Sequence, residues 1–317
     1  MSDFPLGQTW VSRVTTASPS DVPVMGVDPS PLPDKGQLTA VLRELSLSEG
    51  AREMVRRKWI RPAEGKDKVS ERGLALFDFL FSHVERRPAF AMFKGRRLGD
   101  QRDLIEEIST MAWIAHVTDA AQAQAPASRF VSASLSEDFL RKLVKVSVHE
   151  DGPQRALKAV RDIGIAVVVE SGLPGMSVDG ASFHAAQVGP VLALTLRHDR
   201  LDNFWFTLLH ELGHIALHLT RPGRDVYIDS IDETVGDEQE AEAEADAFAK
   251  DGLVPRDTWL RSDARRMGSE GSVLALAKQL GIHPAIVAGR MRYERREFRM
   301  FTDLVGIGRV REFIFSS

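Results

Sequence analysis

The 317-residue chain has no cysteine. Disulfides and thiolate metal sites are therefore excluded, and a reducing, cytoplasmic compartment is expected. It also lacks an apolar run of the roughly 18 residues that a membrane-spanning helix needs. Its first residues, MSDFPLGQTW, have neither a basic stretch nor an apolar one, so no signal peptide is expected. Neither sign of charge dominates: the net charge is −4, which carries no overall nucleic-acid signature. Apolar residues, by contrast, make up 43% of the chain, ample for packed cores, and the length suggests two or three domains.

Charge is uneven along the chain. Residues 221–255 carry a net −8 and residues 256–317 a net +5. This implies either complementary packed surfaces or a basic C-terminal module that meets an acidic partner or nucleic acid. Residues 1–36 hold six prolines and read as a flexible arm. Residues 37–150 read as a helical region, with helices over 38–58, 70–86, 101–124 and 135–149. Two basic clusters fall here: Arg52, Arg56, Arg57, Lys58 and Arg61 around Trp59, and Arg86, Arg87, Lys94, Arg96 and Arg97 around Phe90 and Phe93. Both read as solvated helix faces; nucleic acid is a possible partner but not the favoured one.

From residue 151 the pattern changes. A helix over 153–162 precedes short apolar strands over 165–170, 177–184 and 191–197, split by Gly172-Leu173-Pro174-Gly175 and Gly189-Pro190. Residues 272–290 have helix–turn–helix spacing: one helix ends at Gly281, His283 lies in the turn, and the next helix starts at Pro284. This pair is expected to pack on the preceding domain. The expected organisation is an arm (1–36), a helical domain (37–150), an α+β domain (151–260) and a helical C-terminal module (261–317).

Residues 210–214 read HELGH. Two histidines four apart share one helix face, so their rings can converge on one metal ion, and Zn²⁺ favours such nitrogen ligands while leaving a position for water. Glu211 is placed to take a proton from that water. Trp205, Leu208, Leu209, Leu212, Ile215, Ala216 and Leu219 recur at helical spacing, with Asp202 or Asn203 as N-cap and Arg221-Pro222-Gly223 as the stop. Two imidazoles and a carboxylate on so apolar a helix would be costly without partners.

A third ligand is needed. Leu217 and Thr220 stand where the metzincin continuation requires glycine and histidine, which excludes that class. His218 lies about 12 Å along the helix from His210, too far for one zinc, and reads as a polar residue suited to the helix C-terminus. Residues 237–249, DEQEAEAEADAFA, read as a second helix. Glu244 is the preferred ligand from it and Glu240 the alternative. Glu238 and Glu242 read as a solvated face, and Asp246 as a partner for a ligand histidine. The strand before the metal helix commonly edges the cleft in zincin-type proteases, which points to Val191–Leu196. Tyr227, His184 and His198 are candidates to stabilise an oxyanion.

HELGHIALH, followed by EAEADAFAKDGLVP, resembles the ImmA/IrrE family of zinc metallopeptidases. The stretches 179–183, 195–200 and 282–290 resemble its longer members, which are often fused to a DNA-binding module, although no N-terminal helix–turn–helix is found here. The resemblance implies a zincin-like core with Zn²⁺ on His210, His214 and Glu244 and with Glu211 as base. It further implies a peptidase acting on a specific regulatory protein of repressor or antitoxin type, in transcription regulation, stress response or a toxin–antitoxin pair. The alternative is a DNA-binding or toxin–antitoxin regulator whose metal is structural or only conditionally active.

Overall fold

The computed structural model describes residues 48–64, 68–81, 101–185, 187–219, 226–228 and 237–315. The proline-rich arm and the basic cluster at 86–97 lie outside them. The elements run α1 (Glu49–Arg56), α2 (Lys68–Phe81), α3 (Gln101–Ala123), α4 (Glu137–Lys145), α5 (Gly152–Asp162), β1 (Ala166–Val169), β2 (Gly180–Ala185), β3 (Gly189–Leu194) and α6 (Leu201–Leu217). They continue with β4 (Val226–Ile228), α7 (Asp237–Leu253), α8 (Arg256–Arg261), α9 (Asp263–Met267), α10 (Glu270–Leu280), α11 (Pro284–Arg295) and α12 (Arg309–Phe315). The fold is α+β, as expected.

The strands form one sheet in the order β1-β3-β2-β4. β3 pairs parallel with β1, from Ala166↔Val191 to Val169↔Leu194, and antiparallel with β2, from Gly180↔Leu194 to Ala185↔Gly189. β2 also pairs antiparallel with β4, through Ala181↔Ile228, Ser182↔Tyr227 and Phe183↔Val226. The expectation that Val191–Leu196 edges the cleft is thus corrected. β3 is bonded on both sides and offers no free backbone to an extended peptide; β4 is the outer strand on the β2 side among the described residues.

Alternation along the strands sends side chains to two covered faces. Val167, Leu192 and Leu194 join a core with Leu140, Leu143, Leu157, Trp205 and Leu208, while Val168, Val191, Ala193 and Phe183 join a second core with Met111, Trp113 and Ile114 of α3. The sheet is therefore the middle of three layers. α3 is tied to the end of β1 by Trp113 Nε1, which donates to the carbonyl of Glu170 at 2.9 Å. Arg57 of the first basic cluster is engaged in the same place. It bonds Glu53, Glu170 and the carbonyls of Ser171 and Gly172, and Trp59 stacks on His116 at 4.0 Å.

The first core continues into the C-terminal helices through Val273, Leu276, Ile286, Val287, Ala288 and Met291. It thus runs across the boundaries expected at 150/151 and 260/261. α10 ends at Gly281 in the left-handed conformation (φ 67°), and His283 caps α11 through Nδ1, which accepts from the Ala285 N–H at 3.1 Å. The spacing read as helix–turn–helix is therefore an αα connection packed on the sheet domain. α6 itself begins two to three residues earlier than expected, with Arg200 rather than Asp202 or Asn203 as N-cap. The Asp202 carboxylate is engaged by Arg200 at 2.9 Å and by Arg292 at 3.5 Å, and the Leu201 N–H donates to the Val305 carbonyl. No helix among the described residues is long and apolar enough to cross a membrane.

Candidate functional site

α6 lies at the centre of the molecule, buried along nearly its whole length, which follows from an apolar stripe that is almost continuous around it. His210, Glu211 and His214 are 3%, 0% and 0% exposed, so their polar atoms depend on protein partners for solvation. α7 packs along α6 through Ala241, Ala245, Phe248 and Ala249. The close approach depends on Gly213: a Cβ there would lie 3.1 Å from Ala245 Cα and 3.2 Å from the Phe248 ring.

Three groups converge in this interface. His210 Nε2 and His214 Nε2 lie 3.0 Å apart, and the Glu242 carboxylate reaches them at 3.1 Å and 3.3 Å. Tetrahedral coordination with bonds of about 2.0–2.2 Å separates ligand atoms by roughly 3.3–3.6 Å. The observed spacing is within a few tenths of an ångström of that, and two nitrogens with one carboxylate form a suitable donor set for a divalent cation. These residues are also the candidate metal-holding group among the described residues. Their charge states suit the purpose. Burial holds the His214 ring at a pKa of about 4, hence neutral near pH 7. Burial pushes the Glu242 carboxyl upward, but hydrogen bonds from His210 and His214 outweigh it and bring it down to about 2. A cation needs neutral imidazoles and an ionised carboxylate.

Where Glu244 was expected, the structure brings Glu242 to the two histidines. Taken from Ala245, which faces α6, Glu242 sits about 60° to one side of the helix and Glu244 about 100° to the other. The first flank faces His210 and His214. The second faces His218, whose Nε2 meets Glu244 Oε2 at 3.1 Å. Glu240, the alternative ligand, is exposed. The reading of Glu242 as a solvated side chain fails for the same reason. The helix stripe alternates Ala and Glu so evenly that hydrophobicity alone does not mark the flank.

Asp246, one turn beyond Glu242, brings Oδ1 to 3.3 Å from His210 Nδ1 and is itself held by Lys250 at 2.6 Å. It therefore stands behind His210, where spacing pointed. His218 is not the helix-terminal surface residue expected. It is 3% exposed, and its Nδ1 lies 3.1 Å from His214 Nδ1.

Glu211 is packed under the start of β2. A Cβ on Gly180 would stand 2.5 Å from Glu211 Oε1 and 2.8 Å from Thr207 Cγ2, so only glycine leaves room for the carboxylate. Sequence reading missed Gly180; its one signal was a glycine opening a strand, which can mark a close approach.

Of the oxyanion candidates, His184 and His198 stand away from the histidine pair. His184 is exposed, four residues along β2 from Gly180, or about 13 Å. His198 lies in the loop before α6, about 14 Å in helical rise from His210. Tyr227 is in β4 opposite Ser182, but its side chain lies outside the described residues. One turn before His210, Phe206 tilts against the His210 ring at 6.0 Å and stacks on Tyr293 at 6.3 Å. Beside it is a cavity of about 110 Å³, lined also by Asn203, Lys250, Leu253 and Ile286.

No curated protein matches the chain. Residues 161–292 match the model of the IrrE N-terminal-like domain, a peptidase family, and the match encloses His210, Glu211, His214 and Glu242. Residues 161–292 are therefore similar to a metallopeptidase-type domain of the ImmA/IrrE family.

Proposed function

We propose that the protein is a zinc-dependent endopeptidase acting on a specific regulatory protein of repressor or antitoxin type. The observation that carries this is the convergence of His210 Nε2, His214 Nε2 and the Glu242 carboxylate within 3.0–3.3 Å, beside a fully buried Glu211. The cation these residues would hold supplies Lewis-acid polarisation of a water and of the scissile carbonyl.

The chain's own residues do the rest. Glu211 takes a proton from the attacking water and hands it to the leaving amine. Gly180 keeps the space in which its carboxylate turns. Asp246, facing Nδ1 of His210, holds that ring with its Nε2 lone pair toward the site. The cavity beside Phe206, whose ring leans on His210, receives a side chain of the substrate.

The test uses the full chain. Wild-type protein and the Glu211→Gln variant are analysed for zinc, and proteins that co-purify with the variant are offered to both. Both forms are expected to hold zinc, with only wild type cutting a trapped partner. Equal cutting by Glu211→Gln would remove Glu211 from the reaction, and absence of zinc from both would remove the metal.

A further inference from the structure

His210 and His214 are not supported alike. His210 Nδ1 faces a carboxylate directly, at 3.3 Å from Asp246 Oδ1. His214 Nδ1 faces another imidazole, that of His218, at 3.1 Å. His218 then reaches a carboxylate from its other nitrogen, at 3.1 Å from Glu244 Oε2. His214 and His218 are 0% and 3% exposed, so bulk water does not settle which nitrogen carries each proton.

With both rings neutral and a cation on His214 Nε2, the chain of contacts permits one arrangement. A neutral imidazole has one N–H and one lone pair, and a contact between two Nδ1 atoms needs one proton between them. If His218 supplied it, its Nε2 would present a lone pair to the Glu244 carboxylate, acceptor against acceptor at 3.1 Å. His214 would then carry its proton on Nε2, inside the cluster with His210 and Glu242. If His214 supplies the proton instead, every group is matched once a cation takes the Nε2 lone pairs of His210 and His214 and the Glu242 carboxylate. His214 Nδ1–H donates to His218 Nδ1, His218 Nε2–H donates to Glu244, and His214 Nε2 keeps its lone pair for the cation.

We propose that His218 and Glu244 form a positioning relay that fixes the tautomer and ring orientation of His214 and so sets the affinity of the site for zinc. The relay rests on the reading that His214 holds the cation through Nε2. It explains why α7 carries acidic residues on both flanks of its buried stripe: Glu242 serves the cation, and Glu244 serves the ring behind the ligand. Carboxylates behind ligand histidines typically contribute 10–100-fold to metal affinity.

The first measurement is nitrogen-15 NMR of the histidine rings in the zinc-loaded wild-type protein at neutral pH. His218 protonated on Nε2 and His214 on Nδ1 is the expected result; His218 protonated on Nδ1 overturns the relay without any mutation. The second is zinc affinity by competition with a chromophoric chelator. Glu244→Leu is expected to bind zinc about 10–100-fold more weakly, and Glu244→Gln, whose amide oxygen still accepts from His218, to recover most of that loss. Zinc binding by Glu244→Leu equal to wild type overturns the relay. Glu242→Ala separates this from the site itself: if Glu242→Ala loses zinc while Glu244→Leu does not, the metal site stands and the relay falls. If Glu242→Ala binds as wild type does, the site assignment falls, and the relay with it.

Discussion

Gly180 and His214 are the residues whose environment is least visible in their own chemistry. Replacing Gly180 by alanine would set a methyl group 2.5 Å from Glu211 Oε1, while α6 is packed too tightly to retreat. Overpacking of this kind costs about 1–3 kcal/mol. Gly180→Ala is therefore expected to lose that much in urea unfolding and, on the proposed function, to bind zinc as wild type does, since Gly180 lies against Glu211 and Thr207 and not against the proposed ligands. His214 predicts a pH dependence. Its ring is held at a pKa of about 4 by burial, against an ordinary 6.5. Below about pH 6.5 the unfolded chain gains a proton there that the folded chain refuses until about pH 4. Stability contributed by the neutral ring is thus complete above that window and lost as pH falls through it, by up to roughly 3 kcal/mol. Denaturant unfolding of zinc-free protein between about pH 7 and pH 4.5 measures this; a flat profile would contradict the buried neutral ring.

The pair α6 and α7 sets the site. Glycine inside a helix costs about 1 kcal/mol relative to alanine, so Gly213 would be a gain to replace if the helix stood alone. It does not: the new Cβ would meet Ala245 Cα at 3.1 Å, and a backbone atom does not swing aside. Gly213→Ala is expected to push α7 outward, lowering both stability and zinc affinity because Glu242 travels with α7; chelator competition reads the second effect. The histidine pair and its glutamate were legible from spacing alone, because a helix period of 3.6 fixes which residues share a face. The third acidic group was not. Glu242 and Glu244 flank the same buried alanine on opposite sides, and only the seating of α7 against α6 tells the flanks apart.

At the scale of the whole molecule, the C-terminal helices are part of the site's foundation. Arg290 donates to the carbonyls of Lys250 and Val254, both at 2.8 Å, and so satisfies the end of α7. Arg292 and Asp202, 5% and 8% exposed, link α11 to the start of α6. Asp202→Ala would leave a buried guanidinium without its carboxylate, at a cost of about 3–5 kcal/mol in thermal or urea unfolding. A chain truncated after Gly268 is expected to lose near-UV circular dichroism and zinc binding together, because Val273, Leu276, Ile286 and Val287 belong to the core that holds Trp205. A truncated form that kept zinc would show that the metal domain stands alone.

Local spacing by itself determined α6, α7, α10 and α11, the strands β1 to β3, the histidine pair and the neighbouring Glu211, because each depends on residues within about a turn or two of one another. Strand order, the internal position of β3, the seating of Glu242 at the histidine pair and the placing of Glu244 behind His218 were decided only by tertiary structure. Each depends on which face of one element meets which face of another far along the chain, and that is settled by burial and close packing, not by sequence period.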